Sequence, residues 1–392
     1  MKELIVAGVM SGTSADGINV ALVRVPGGRT SPGKSARAFD LLGHAEYPYP
    51  KAVRAAVLAA MNASSASVAD LARLNFLLGE LYADAILATQ RNFGVNAQLA
   101  GCHGQTLYHQ GEPRPFLGRK IATTWQTGEG AVVAARVGVP VVSEFRPADM
   151  AAGGKGAPLV PFLDYVLFRD KRIGRIVQNI GGIANLTAIP PGASAVDVFA
   201  FDTGPGNMVI DAVTEQLFRR PFDRDGKIAA SGRPIDKVIH KLLRETFFRR
   251  KPPRTAGREE FGEQFLRDFL RRCRGHRNQD IVATATALTA RSIADAVRIH
   301  ALGGERDAGR FQEMIISGGG ARNSTLVKML ATELDTLGLR LRLSDEFGLP
   351  AAAKEAVAFA LLAYQTWGRK PSNIASATGA KREAVLGKIS YP

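Results

Sequence analysis

Apolar and polar positions along this chain repeat in two periods, and small residues mark the breaks between them. Leu4–Val9, Ile18–Val25 and the stretch 38–47 read as strands, with Gly27 to Lys34 (GGRTSPGK) as the loop between the second and third. Val68–Phe93 changes to the helical period, placing Leu71, Leu74, Leu78, Leu81 and Ala85 on one face. Further strands are predicted at Gln98–Cys102, Val139–Ser143, Arg175–Asn179, Val196–Phe201 and Gln312–Ser317. Helices are predicted at Met208–Leu217, Ala283–His300 and Ala353–Trp367. Interspersed strands and helices describe an α/β protein, and 392 residues suffice for two or three domains with their own cores.

Where the strands end, glycine recurs. The first break, GTSADGIN, runs from Gly12 through Thr13, Ser14, Ala15, Asp16, Gly17 and Ile18 to Asn19. Gly12 lets the backbone approach an anion, Ser11, Thr13 and Ser14 offer hydroxyls, and Asp16 suits magnesium, which prefers oxygen ligands. Taken alone, the loop fits a hairpin turn as well as a phosphate cradle. Similar breaks follow: Gly181 and Gly182 open GGIANLT, Asp202 to Asn207 reads DTGPGN, and Ser317 to Asn323 reads SGGGARN. Four strand-to-glycine junctions point to a nucleotide. Neither GxxxxGK[ST] nor the HRD and DFG triplets occur, so P-loop and protein-kinase architectures are set aside.

What remains resembles the sugar-kinase, heat-shock-protein and actin superfamily, and within it the anhydro-N-acetylmuramic acid kinase family. The resemblance covers nearly the whole chain. It rests on GVMSGTSADG (8–17), HGQT (103–106), FRPADMAAGGKGAPLVP (145–161), NIGGIANLT (179–187), FDTGPGN (201–207), GREEF (257–261), SGGGARN (317–323), AKEAVAFALLA (353–363) and TGA (378–380). It implies an α/β, two-lobed, actin-like (ribonuclease H-like) fold with a nucleotide cleft between lobes. Residues 1–150 and 368–392 would form the first lobe, and 151–367 the second. It also implies ATP and magnesium as cofactors. The ATP-binding residues would be Gly12 to Asn19, Gly181, Gly182, Asp202, Gly204, Gly206, Asn207, Gly318, Gly319, Gly320 and Asn323, with Asp16 and Asp202 at the metal. His103, Gln105, Arg146, Asp149 and Glu355 would bind substrate. The implied reaction opens a 1,6-anhydro sugar with water and phosphorylates the released 6-oxygen.

Such a reaction needs a general base for the water. The family motif at that position reads DFR, whereas this chain has Glu144-Phe145-Arg146, one methylene longer. Glu144 is the expected base; the alternative is an ion pair with Arg146 or another arginine. Asp149 is open to a capping role, His103 to a structural hydrogen bond, and Glu355 to the favourable dipole end of a helix. The chain also departs from common family residues at Ala15, Asn19 and Ala352. Another anhydro sugar such as levoglucosan, or an ATP-switched binding protein without catalysis, are the other readings.

Composition limits the partners. The net charge is +15, and Lys241–Arg277 alone holds 12 Lys/Arg against 5 Asp/Glu. The portion FLRDFLRRCR reads as an amphipathic helix with a solvated basic face and carries no aromatic-interleaved nucleic-acid motif, so no nucleic-acid partner is expected. The apolar stretch 356–363 falls far short of the ~20 residues that span a bilayer, so no membrane partner is expected either. Cys102 and Cys273 stand alone and suggest neither disulfide nor zinc. A cytoplasmic enzyme with a small anhydro-sugar substrate is the expectation, a homodimer being a possible assembly.

Overall fold

A computed structural model describes residues 2–12, 14–27, 38–252, 254–303 and 309–392, except the side chain of residue 258. The loop expected at 27–34 lies outside the described residues apart from Gly27, and Thr13 lies outside them altogether. The chain divides into two units, Met1–Leu167 with Ala352–Pro392, and Phe168–Ala351.

The first unit is built on seven strands: β1 (Leu4–Ser11), β2 (Gly17–Val25), β3 (Asp40–Pro48), β4 (Leu99–Phe116), β5 (Arg119–Thr127), β6 (Val141–Ser143) and β12 (Lys388–Ser390). Their order is β12-β6-β4-β1-β2-β3, with β5 paired to β4. β1, β2 and β3 form an antiparallel meander, β4 joins β1 in parallel and β6 joins β4 in parallel. Alternation along β1 separates two faces. Ala7 and Val9 point into a core shared with Leu22, Leu78, Tyr82 and Ile86, the last three from helix Val68–Phe93 apart from Leu22 of β2. On the opposite face lies helix Lys354–Trp367, packed over β1, β2 and β4. This packing explains why the helix belongs to the first unit, whereas the lobe boundaries expected from sequence placed it in the second. The first boundary likewise falls after Leu167 rather than after 150.

Helix Val68–Phe93 has the predicted ends because both are capped. Ser67 accepts the amide of Asp70 at 3.3 Å, and Gly94 takes the left-handed conformation at φ 63°.

The second unit contains β7 (Arg175–Ile180), β8 (Ile183–Ile189), β9 (Phe199–Pro205), β10 (Glu313–Ser317) and β11 (Arg340–Leu343), in the order β11-β10-β7-β8-β9. Again the first three strands form an antiparallel meander, β10 adds in parallel to the first of them, and β11 adds in parallel to β10. The two sheets share one plan, which no repeat in the sequence discloses. Helix Asn278–Ala296 is buried along most of its length and packs on β9 and on helices Met208–Phe218 and Ser324–Asp335. It begins before the expected Ala283 and ends in a wider π-type turn at Val297–Ala301. The predicted strand Val196–Phe201 is instead a short 3₁₀ turn at Ala195–Asp197 followed by β9. The basic stretch is helical over Glu263–Arg272, with Phe269 buried and its arginines paired to Glu263 and Asp268.

Candidate functional site

In the first unit, the loop after β1 is fixed from below. The Gly12 carbonyl accepts the Ala15 amide at 3.1 Å and the Gln105 side-chain amide at 3.1 Å. Ala15 is buried at φ 52°, and a Cβ on Gly17 would lie 2.2 Å from the Tyr47 carbonyl, so glycine is required there. Under the loop, Tyr49 contacts Ser11 at 2.8 Å and Tyr82 at 3.2 Å. Asp16 projects outward with 73% of its side chain exposed, paired to Arg54 at 3.3 Å. Two expectations change here. Ile18 packs in the core and Asn19 bonds to His44 at 3.1 Å, so their side chains support the loop. Gln105, expected on the sugar, is fully buried and holds Gly12 instead.

A second cluster forms where β4 and β6 deliver their residues. β6 ends at Ser143, Glu144 turns the chain at φ 52° and ψ 50°, and helix Phe145–Ala151 starts at once. The Glu144 carboxylate is 44% exposed and meets Lys388 of β12 at 2.6 Å. The expected arginine alternative is therefore replaced by a lysine from the far end of the chain. Arg146 donates from Nε to His103 Nε2 at 3.0 Å and from Nη1 to the Gly156 carbonyl at 2.7 Å. Burial pulls the Arg146 guanidinium down to about 10, against the opposing charges of Glu355 and Asp149. His103 is pushed well below its ordinary value, by burial first and then by the Arg146 charge, so it is a neutral imidazole. Glu355 is solvent-accessible, yet surrounding protein raises its carboxyl through desolvation, opposed by Arg146 and Lys354.

Asp149, expected among the substrate ligands, is fully buried and fully engaged. Its oxygens accept the Gly156 amide at 2.8 Å, Asn373 at 2.8 Å and Thr378 at 2.7 Å. A Cβ on Gly154 would sit 2.3 Å from this carboxylate, which requires glycine there. Asp149 thus ties the loop after its helix to the C-terminal segment.

The second unit brings its three glycine loops together. The Gly206 amide donates to Gly182 at 2.9 Å and the Asn207 amide to Gly181 at 2.7 Å. A Cβ on Gly206 would lie 2.1 Å from the Gly181 carbonyl, and one on Gly320 would lie 2.3 Å from Ile180 Cγ2. Gly318, at φ 86°, abuts the Ile180 carbonyl, and Gly319 lies beside Asn207. Gly204, at φ 157°, faces Ser292. Asp202 accepts the Ala256 amide at 2.6 Å, and burial raises its carboxyl to about 6. Asn323, expected on ATP, instead caps helix Ser324–Asp335 by accepting the Leu326 amide at 3.0 Å.

No group of three or more His, Cys, Asp or Glu among the described residues is arranged to hold a metal by itself. Magnesium takes one or two carboxylates and completes its shell with phosphate and water. The exposed Asp16 fits such a role better than Asp202, one of whose oxygens is already bonded. A cavity of about 420 Å³ in the first unit, lined by Ile18, Tyr47, Leu81, Ala85 and Arg91 among others, is mainly apolar and separate from the Arg146 cluster.

Sequence reasoning missed Lys388, Tyr49, Asn373 and Arg254, the last donating from Nε to the Asp202 carbonyl at 2.9 Å. Thr378 lies in the TGA stretch, which was a usable signal for the Asp149 partner; Lys388 sits in an ordinary polar tail and gave none.

Two α/β units of one strand plan, each with glycine loops at its strand ends, describe a two-lobed nucleotide-binding fold. The chain belongs to the anhydro-N-acetylmuramic acid kinase family, whose model matches residues 4–392. Proteins named anhydro-N-acetylmuramic acid kinase from Bacillus cereus (strain Q1) and Bacillus anthracis (strain CDC 684 / NRRL 3495) are 41% identical to it over 99% of both chains. One of the same name from Bacillus thuringiensis (strain Al Hakam) is 41% identical over the whole of both.

Proposed function

We propose that this kinase uses ATP to open 1,6-anhydro-N-acetylmuramic acid and phosphorylate its 6-oxygen, giving N-acetylmuramic acid 6-phosphate. The observation that carries the residue assignment is the end of β6, where one turn presents the Glu144 carboxylate and the Arg146 guanidinium beside His103 of β4.

Glu144 takes a proton from water, whose oxygen bonds to the anomeric carbon. The bond from that carbon to the bridging oxygen breaks, and its electron pair stays on the 6-oxygen. This oxygen attacks the γ-phosphorus, and ADP leaves with the electrons of the broken phosphoanhydride bond. Arg146 and Glu355 orient the sugar, while the glycine loops at Gly12, Gly181, Gly182 and Gly318 to Gly320 leave room for the phosphates to approach the backbone. Asp16 would hold magnesium, which would supply neutralisation of phosphate charge. ATP supply places the reaction in the cytoplasm, and no helix among the described residues is long and apolar enough to cross a membrane.

Phosphate transfer from ATP to the purified anhydro sugar tests the activity, with levoglucosan as the competing acceptor. Glu144→Gln is expected to lower kcat by about 10²- to 10⁴-fold, the usual contribution of a general base. Unchanged turnover in that variant removes Glu144 from the role.

A further inference from the structure

We infer that His103 is a positioning residue which acts through Arg146 and does not itself contact the sugar. The hydrogen bonds determine its tautomer. Nδ1 lies 2.7 Å from the Gly104 carbonyl, which can only accept, so Nδ1 carries the proton. Nε2 is then a lone pair, and it accepts Arg146 Nε–H at 3.0 Å. Both ring nitrogens are occupied, and the residue is 3% exposed. The ring itself packs on Phe359 at 4.6 Å between centroids.

The consequence falls on the guanidinium. Nε is held by His103 and Nη1 by the Gly156 carbonyl, whose own amide is anchored on Asp149. Two bonds from separate corners of a planar fork, Nε and Nη1, fix its plane and its roll. Among the described residues nothing hydrogen-bonds Nη2, so that corner is left for a ligand oxygen. Gly104, at φ 81°, sets the carbonyl against which His103 is oriented, and a Cβ there would lie 2.7 Å from the Thr127 carbonyl.

This inference rests on the reading that Arg146 binds the sugar, and the experiment separates the two. His103→Phe keeps a ring on Phe359 but removes the acceptor; His103→Gln can return an acceptor near the Nε2 position. Arg146→Lys is expected to raise KM for the anhydro sugar about 10- to 100-fold and to leave KM for ATP unchanged. His103→Phe should do the same, His103→Gln should recover most of the loss, and the double variant His103→Phe/Arg146→Lys should be no worse than Arg146→Lys alone. A normal sugar KM in His103→Phe alongside a raised one in Arg146→Lys overturns the inference and leaves the reading of Arg146 standing. A normal sugar KM in Arg146→Lys overturns both. Histidine ¹⁵N spectra of the unaltered protein, assigned by the signal missing in His103→Gln, should show the neutral Nδ1–H tautomer; an Nε2–H tautomer overturns the inference even where a variant does not fold.

Discussion

Asp202 is held between the Ala256 amide and the neighbourhood of Arg254, and burial raises its carboxyl to about 6 from an ordinary 3.8. With the folded value raised, the native state binds the extra proton between those two values. Its stability therefore falls as pH rises through that window, and the cost stands in full above it. Two units correspond to at most about 3 kcal/mol, less because the side chain is only partly enclosed. Asp202→Asn is neutral throughout and keeps an oxygen for Ala256. Its advantage over the unaltered protein in urea unfolding should be near zero at about pH 4 and reach about 1–2 kcal/mol by about pH 7.5, while kinase activity drops. A difference independent of pH would contradict this account. Residue types at the site were legible in the sequence, but their duties were not. Gln105, Asp149 and His103 look alike as polar residues in motifs, and only their enclosure shows that each is engaged inside the protein. Glu144 stays exposed, yet its partner comes from residue 388, a pairing that no local pattern encodes.

At the scale of elements, the contact between helix Lys354–Trp367 and the first sheet depends on two glycines. A Cβ on Gly8 would lie 1.9 Å from the Ala356 carbonyl oxygen, and one on Gly101 would lie 2.3 Å from that of Phe359. Helix backbone cannot rotate away as a side chain can, so Gly8→Ala should cost about 3 kcal/mol or more. Gly94→Ala is the control, since nothing lies within 4 Å of its Cβ and only the φ of 63° is unfavourable. It should cost about 1–2 kcal/mol, so denaturation midpoints rank the two. Equal losses would mean that the helix can retreat from the sheet. Elements with buried faces were legible: helix Val68–Phe93 has its predicted span because period and caps agree. The β4–β5 hairpin was not. Predicted only as Gln98–Cys102, β4 continues to Phe116, its last nine residues from Tyr108 on largely exposed and including Gly and Pro, and β5 repeats that polarity. Without a buried face, alternation leaves no trace in hydropathy.

For the whole molecule, the order of segments along the chain predicts which pieces fold. The second unit is continuous from Phe168 to Ala351, and the buried residues of its core among the described residues run from Ile176 to Leu339. The first unit is interrupted: its sheet comes mainly from the first 167 residues, but the helix over β1, β2 and β4 and the edge strand β12 come from the last 41. Without them, 1–167 would expose the face that Gly8 and Gly101 present to the helix, together with the open edge of β6. A fragment spanning 168–351 should therefore unfold cooperatively in urea with intact near-ultraviolet circular dichroism. Fragment 1–167 should aggregate, and adding 352–392 in trans should recover soluble, structured protein. If 168–351 shows no cooperative transition while 1–167 does, the dependence runs the other way. The same logic bears on chemistry, because Lys388 and the Asn373 and Thr378 partners of Asp149 all lie in the returning segment. Trans addition of 352–392 carrying Lys388→Met should restore solubility as well as the unaltered segment does, separating its packing from its contact with Glu144.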